Sequence, residues 1–204
     1  MIVTKIETVA RTKYKIFIDE QFAFVLYKGE LSRYNLAEGE GVAEEVLTRI
    51  REEVLLKRAK LRCMHLLKDS DKTEYQLTLK LRQGYYPEDI IEQAIAYVKS
   101  FGYLNDEGYA QRYVSNRKEY KSKKEIYMEL KKKGMGKITI EQIIADEYEG
   151  QDEREAIKAI LTKRRYDPET ASPEEKRKVY AYLSRKGFSY DDIRSVMQVS
   201  EGSA

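Results

Sequence analysis

Three short apolar runs occupy the N-terminal part of the chain. They extend over 2–9, 13–19 and 22–28 and are rich in β-branched and aromatic residues, a composition that favours β-strands. Tyr14, Ile16 and Ile18 alternate along the second run, so their side chains lie on one face of a strand. Residues 19–21 allow only a tight connection to the third run. The pattern therefore predicts a small antiparallel sheet with one face that must be covered.

Beyond residue 41 the apolar residues follow a helical spacing. They stand three, four or one residue apart at Val42, Val46, Leu47, Ile50, Val54 and Leu55. Spacing of this kind predicts an amphipathic helix. We expect this helix, within 42–67, to cover the sheet, and we assign the strands with the start of the helix to an N-terminal region, 1–55.

The rest of the chain contains three similar segments. When Leu81, Leu130 and Leu183 are superimposed, the copies repeat after 49 and then 53 residues (130 − 81 and 183 − 130). Six of seven aligned positions are apolar in every copy: Leu77, Ile126 and Val179; the three leucines; Tyr86, Met135 and Phe188; Ile91, Ile140 and Ile193; Ala94, Ile143 and Val196; Ile95, Ile144 and Met197. The seventh position holds Tyr85, Gly134 and Gly187. Self-similarity of this kind is typical of repeat proteins.

Each copy has the pattern of three helices. Ser122 with Glu125 and Ser172 with Glu175 form capping-box patterns before the second helices, and Pro173 suits a first helical position. Thr139 and Ser189 are predicted to open third helices. We therefore predict a mainly α protein with three three-helix repeats at 56–104, 105–150 and 151–204, in an elongated or bent array behind the sheet and its helix.

Charge is segregated along the chain, although the formal net charge is only +3. Residues 112–137 contain ten Lys or Arg and three Glu, a local charge of +7, whereas 138–157 contain seven acids and one Arg, a local charge of −6. Hydrophobic residues make up 42% and charged residues 36% of the chain, which suits small helical units with modest cores. A basic segment of this kind favours an acidic or polyanionic partner.

The residues required for catalysis are mostly missing. The only cysteine, Cys63, excludes an internal disulfide, and it stands two residues from the only histidine, His65. Positions two apart on a helix point in different directions, so they do not form a nucleophilic pair. Residues 134–137 lack the spacing of a phosphate-binding loop. We expect a protein that is not an enzyme, with no cofactor, no metal and no small-molecule substrate. With no secretory signal and no bilayer-spanning run, we also expect a soluble, cytoplasmic protein without a membrane partner.

The repeats and the junction between the first two resemble the RecX family of regulatory proteins. The resemblance lies in GYLNDEGYA at 102–110, Arg117, ELKKKG at 129–134, RKGF at 185–188 with Ile193 and Val196, and residues 77–95. It extends from about Leu56 to Val199, and the preceding strands fit the longer members of the family. The first repeat departs from the other two, because its glycine, Gly84, stands one aligned position before Gly134 and Gly187.

The resemblance implies a regulator of the RecA recombinase in recombination and DNA repair. Such a protein would lie in the groove of the RecA–DNA filament and mostly inhibit ATP hydrolysis and strand exchange. The expected partners are therefore the RecA filament and single- or double-stranded DNA.

Candidate contact residues are basic or aromatic and belong to the second and third repeats. They are Arg117, Tyr120, Lys121, Lys123, Lys124, Tyr127, Lys131, Lys132, Lys133, Lys137, Lys163, Arg164, Arg165, Arg185 and Lys186. Lysines and arginines neutralise phosphates or meet acidic protein surfaces, and tyrosines beside them stack on bases. Two other functions fit the same pattern: a stand-alone, non-specific nucleic-acid-binding helical-repeat protein, and a structural adaptor. The adaptor leaves the charge segregation unexplained.

Overall fold

The computed structural model describes residues 1–150 and 152–198. Strands β1, β2 and β3 extend over Val3–Ala10, Lys13–Ile18 and Gln21–Tyr27. The helices are α1 Lys28–Arg33, α2 Glu44–Arg49, a π-helical segment Ile50–Leu56, α3 Lys57–Asp69, α4 Glu74–Gln83, α5 Glu88–Ser100, α6 Asp106–Ser115, α7 Lys123–Lys132, α8 Lys137–Glu147, α9 Glu153–Lys163, α10 Pro173–Arg185 and α11 Tyr190–Gln198. Residues 151 and 199–204, which include both ends of the predicted third repeat and the end of the family resemblance, lie outside the described residues.

The N-terminal strands form the predicted antiparallel sheet, in the order β1-β2-β3. Asp19 and Glu20 make the turn between β2 and β3 with positive φ angles of 47° and 68°, as a two-residue hairpin turn requires. The Asp19 carboxylate accepts a hydrogen bond from Ile2 N at 2.9 Å, and Glu20 N donates to Thr4 Oγ1 at 3.0 Å. These contacts to β1 hold a turn that non-glycine residues adopt only at a cost.

One continuous helical run, α2 with the π-helical segment and α3, covers the sheet as predicted. Ile50, Leu55 and Cys63 from this run are buried in the same core as Ile16 and Phe24 from the sheet. The π-helical segment was not predicted, because an apolar spacing of four or five residues does not distinguish it from an α-helix. It lets Ile50 and Leu55, five residues apart, face the same core.

The chain forms two compact units. The first comprises Met1–Asn105 and the second begins at Asp106. In the first unit the sheet shares a single core with the first helix triplet, since Val3 and Leu104 belong to the same buried cluster. The helical run crosses the predicted boundary at 55/56 without interruption. The division into 1–55, 56–104, 105–150 and 151–204 stays a prediction.

The three helix triplets predicted from the repeat are present. In the second unit, helices α6, α7 and α8 enclose one buried cluster and α9, α10 and α11 enclose another. The aligned leucines Leu81, Leu130 and Leu183 are fully buried in all three copies. Two further aligned positions are buried in every copy: Leu77, Ile126 and Val179, and Ile91, Ile140 and Ile193.

The helix caps agree with the sequence at some positions and not at others. Ser172 and Glu175 form the predicted capping box with Pro173 at the first helical position, and Ser189 accepts from Asp192 N at 3.1 Å. The prediction that Thr139 opens the third helix of its repeat was wrong, because α8 already begins at Lys137, directly after its N-cap residue Gly136. Gly134, two residues before Gly136, has a φ of 85° and reverses the direction of the chain. Met135 is buried in the core directly after this turn, so the helix starts immediately.

Ser122 caps α7 as predicted, but its reciprocal bond is missing. Ser122 Oγ accepts from Glu125 N at 3.0 Å. The Glu125 carboxylate does not return the bond, because it pairs with Lys121 and Lys186 instead.

The turn between α4 and α5 has the same geometry as the other two despite the displaced glycine. Gly134 and Gly187 have φ angles of 85° and 93°, and Tyr85 takes the equivalent left-handed conformation with φ of 64°. This conformation costs a tyrosine about 1 kcal/mol. Its ring lies under the ammonium groups of Lys15 and Lys13, at 4.7 and 5.5 Å from the ring centroid.

We expect Gly187→Ala to destabilise the second unit more than Gly102→Ala destabilises the first. Both glycines have positive φ, which costs alanine about 1 kcal/mol. A Cβ on Gly187 would stand 2.9 Å from Ser122 Oγ, whereas a Cβ on Gly102 meets nothing within 4 Å. The overlap adds roughly 1–3 kcal/mol. Urea unfolding of both variants measures the difference, and equal losses would contradict the contact between α7 and the α10–α11 turn.

Candidate functional site

The predicted contact residues lie in three groups on the second unit. The first group surrounds the start of α7 and contains Arg117, Tyr120, Lys121, Lys123, Lys124 and Tyr127. The second is formed by the last turn of α7 and the start of α8, with Lys131, Lys132, Lys133 and Lys137. The third consists of the C-terminal ends of α9 and α10, with Lys163, Arg164, Arg165, Arg185 and Lys186.

The positions of most of these cations also have a local explanation in the helices that carry them. Three helices end in basic residues: α7 at 131–133, α9 at 163–165 and α10 at 185–186. Positive charge near a helix C-terminus interacts favourably with the helix dipole, by about 0.3–1 kcal/mol at an exposed site. The helix dipole therefore accounts for part of this positive charge.

Two of the predicted contact residues are engaged in an internal ion network. Lys121 Nζ lies 3.3 Å from Glu125 Oε1 and also bonds to the Glu129 carboxylate, while Lys186 Nζ lies 3.0 Å from Glu125 Oε1. Burial lowers the pKa of Lys121, but hydrogen bonds to Glu129 and Glu125 outweigh burial, so the net pKa is raised. These charges join the second and third triplets and are largely neutralised.

Lys123 also has a structural role. Its backbone N donates to Glu153 Oε1 at 2.8 Å, and its ammonium group lies 4.9 Å from the centroid of the Tyr148 ring. Burial raises the pKa of Glu153, although the hydrogen bond from Lys123 opposes the shift. Lys123 therefore helps to fix α9 against α7.

A stack of rings and cations forms along α6. The rings of Tyr109 and Tyr113 are stacked with centroids 5.9 Å apart. The Arg117 guanidinium lies 3.9 Å from the Tyr113 centroid, and Lys133 Nζ lies 5.3 Å from it. Both rings are half-buried and have cations over their faces. The spacing of 109, 113 and 117 on one helical face was the available signal.

Tyr113 also connects this stack to the ion network. Its hydroxyl donates to Glu129 Oε2 at 2.8 Å. Burial, followed by this hydrogen bond, raises the pKa of Tyr113 to about 12. Lys121, Glu129, Tyr113 and Arg117 therefore form one continuous chain of polar contacts between α6 and α7.

The remaining cations are exposed to solvent. Lys137 lies 3.8 Å from Glu141, and the Arg164 guanidinium lies 4.1 Å from the centroid of Tyr182. Among the candidate contact residues, six exposed cations pair with neither a carboxylate nor an aromatic ring of the described chain: Lys124, Lys131, Lys132, Lys163, Arg165 and Arg185. These six side chains are available to an external anion.

The two tyrosines singled out for base stacking differ in exposure. Tyr120 is 49% exposed. Tyr127 is half-buried and lines a shallow apolar depression of about 410 Å³ with Lys123 and Lys124. Both stand beside basic residues, as stacking requires, and their role stays a prediction.

The cysteine and the histidine of the chain, Cys63 and His65, are not placed for catalysis. Cys63 is fully buried, and burial raises the pKa of its thiol to about 11, so it stays protonated. His65 is exposed on the surface of α3. Over residues 1–150 and 152–198, His, Cys, Asp and Glu form no group of three or more that is able to hold a metal ion. In the same residues, no helix is both long and apolar enough to cross a bilayer.

Comparison with known proteins identifies the class as regulatory proteins built from three-helix domains. A model of the first three-helix domain of RecX matches residues 59–97, and a model of the third matches residues 151–197. Regulatory protein RecX from Clostridioides difficile (strain 630) is 31% identical, over 96% of this chain and 94% of the relative. Regulatory protein RecX from Caldanaerobacter subterraneus subsp. tengcongensis is 29% identical, over 98% of this chain and 100% of the relative.

The chain therefore belongs to the RecX family. A crystal structure of regulatory protein RecX has a TM-score of 0.56 at 21% identity and covers 97% of this chain and 98% of its own. RecX from Lactobacillus salivarius has a TM-score of 0.53 at 22% identity, over 72% of this chain and 96% of its own. At these identities the structures support the fold alone.

We expect Glu129→Gln to destabilise the second unit at neutral pH by roughly 1–2 kcal/mol, because it removes a charged acceptor from Lys121 and Tyr113. Burial raises the pKa of Glu129, but its hydrogen bonds with Lys121 and Tyr113 lower the net value below the ordinary 4.5. The folded state therefore binds this proton less tightly than the unfolded state. The stabilisation is complete above pH 4.5 and is lost as the pH falls through the folded-state pKa.

Urea unfolding as a function of pH measures this effect. The wild type and the Glu129→Gln variant should converge only once the pH falls below the lowered folded-state pKa of Glu129, where the carboxylate is protonated in both states. Glu119→Gln, at an exposed residue of the α6–α7 connection, serves as the control and should change stability little at any pH. A Glu129→Gln loss that does not decrease as the pH is lowered through the acid range would exclude the ion network as its cause.

Proposed function

We propose that this protein binds the RecA–DNA filament and mostly inhibits its ATP hydrolysis and strand exchange. The observation that supports this most directly is the pair Lys131 and Lys132, exposed at the end of α7 and paired with no described carboxylate. Membership of the RecX family supports a regulatory role, as the names of the curated relatives state. The recombinase as partner follows from the family resemblance.

A filament on DNA suits a protein with several separate groups of cations. Each lysine or arginine that neutralises a phosphate releases a condensed counterion, so the attraction needs no base sequence. The second unit presents such groups at the ends of α7, α9 and α10. We propose that they contact the filament groove, through phosphates or through acidic RecA side chains.

A protein without a reactive site changes the turnover of another protein by binding one of its states more tightly than the others. The filament alternates between nucleotide states as it hydrolyses ATP. If this protein binds the groove of one state, it holds the filament in that state and slows turnover. Inhibition then depends on the contact surface and requires no group that reacts with ATP.

The test is steady-state ATP hydrolysis by the cognate RecA on single-stranded DNA, titrated with the purified full chain. We expect inhibition at or below a stoichiometric ratio. Lys131→Glu combined with Lys132→Glu should require about tenfold more protein for half-inhibition, because two favourable contacts become repulsive. Arg33→Glu combined with Arg177→Glu makes the same change of charge at exposed residues outside the candidate groups and should behave as the wild type.

No inhibition by the wild-type protein would exclude the proposal. Equal weakening by the two double variants would show that net charge matters and that the end of α7 is not a specific contact. An unchanged inhibition curve for the Lys131 and Lys132 variant would show that the end of α7 does not contact the filament.

A stand-alone nucleic-acid-binding protein is the second candidate function. The stack of Tyr109, Tyr113, Arg117 and Lys133 favours it, because cations beside ring faces occur on surfaces that bind single strands. This function requires affinity for DNA without RecA that falls steeply with salt. It would replace the first proposal if the protein bound DNA tightly but left RecA turnover unchanged.

A further inference from the structure

A basic cavity lies in the first unit, whereas the candidate contact residues all belong to the second. It has a volume of about 520 Å³ and lies between strand β2, the end of β3, helix α3 and the end of α4. The residues that determine its charge and aromatic character are Lys13, Tyr27, Arg58, Arg62, His65 and Lys80. No acidic residue is among the described residues that line it.

Three of the four lysines and arginines in this cavity keep an uncompensated charge. Arg58 bonds to the Glu30 carboxylate through its Nη2, at 2.6 Å from Oε2. In the part of the chain that the structure describes, Lys13, Arg62 and Lys80 pair with no carboxylate. Burial, and then the neighbouring Arg58 charge, lower the pKa of Lys13. The cavity therefore has a positive potential that the protein itself does not neutralise.

The cavity is built by a regular face of helix α3. Arg58, Leu61, Arg62 and His65 stand three and four residues apart and so lie on one side of the helix. Arg58 is fixed at the base of this face: Nη1 donates to Val25 O at 3.2 Å, and the guanidinium lies 4.6 Å from the Tyr27 ring centroid. The other cations come from separate elements, Lys13 from β2 and Lys80 from α4.

Apolar and aromatic surface lies beside these charges. Leu61 is 65% exposed and Tyr27 is 42% exposed, both on the cavity wall. Phosphates need the cations and nucleobases need the flat or apolar surface, so one ligand class uses both.

We propose that this cavity binds the phosphodiester backbone of a polynucleotide, as a second nucleic-acid contact on the first unit. Arg62 and Lys80 contact successive phosphates from opposite walls, and Lys13 adds to the potential between them. Tyr27 and Leu61 offer surface to an unpaired base. The contact is independent of the residues proposed to act on RecA.

The test is binding of fluorescently labelled oligo(dT) to the full chain without RecA, measured by anisotropy over a range of salt concentrations. Arg62→Glu combined with Lys80→Glu changes two exposed side chains and should fold as the wild type. We expect about tenfold weaker binding at low salt. The slope of log Kd against log salt should fall by about 1.4, because each single-strand phosphate contact contributes about 0.7.

Lys57→Glu combined with Lys68→Glu is the matched control. These lysines are exposed on the same helix α3 but do not line the cavity, and the change of charge is the same. The control should bind within about twofold of the wild type with an unchanged salt slope. Equal weakening in both double variants, or no oligo(dT) binding by the wild type, would overturn the proposal.

ATP carries the same phosphate groups on a free nucleotide, so a measurement of ATP binding distinguishes a nucleotide site from a polynucleotide site. If calorimetry shows that the Arg62 and Lys80 variant loses ATP binding but keeps its affinity for oligo(dT), the cavity is a nucleotide site and the polynucleotide proposal is overturned. RecA inhibition is a separate measurement: it can fail while oligo(dT) binding to the cavity persists, and the reverse also holds.

Discussion

The fold depends on the burial of one leucine and one isoleucine at equivalent positions in each helix triplet. Leu81 with Ile91, Leu130 with Ile140 and Leu183 with Ile193 are almost completely excluded from water. Most of the surrounding helices have 9 to 13 residues, which is too short for a stable isolated helix. Each triplet therefore exists because its three helices share these buried side chains. The last residues of α7, α9 and α10, which are Lys132, Lys163 and Arg185, are exposed at the surface.

The surface chemistry follows from where those helices end. Last turns favour cations, and the ends of α7, α9 and α10 carry two or three of them each. One of these charges is used internally: Lys186 pairs with Glu125, which also pairs with Lys121 before the start of α7, and this contact joins the second and third triplets. Lys131 and Lys132 have no such partner among the described residues and remain open to an external anion.

The sequence predicted the features that depend on regular spacing. Alternation along β2 and the recurrence of Leu81, Leu130 and Leu183 are periodic, and both were confirmed. The sequence did not predict the π-helical segment, the start of α8 before Thr139 or the left-handed conformation of Tyr85. Each of these features depends on how neighbouring residues pack in the folded chain. The ion network was missed for a related reason: Glu125 had a local partner in the pattern, and only the fold brings Lys186 within 3.0 Å of it. The basic cavity of the first unit joins residues from β2, α3 and α4, which no local pattern connects.

Amide hydrogen exchange of the full chain tests most directly whether the protein acts through its contact surface. The chain would be measured alone and with RecA assembled on single-stranded DNA in the presence of a non-hydrolysable ATP analogue. We expect slower exchange in the last turn of α7 and at the ends of α9 and α10 when the filament is present. Exchange that is unchanged at all three helix ends, in a sample where the protein sediments with the filament, would contradict the account.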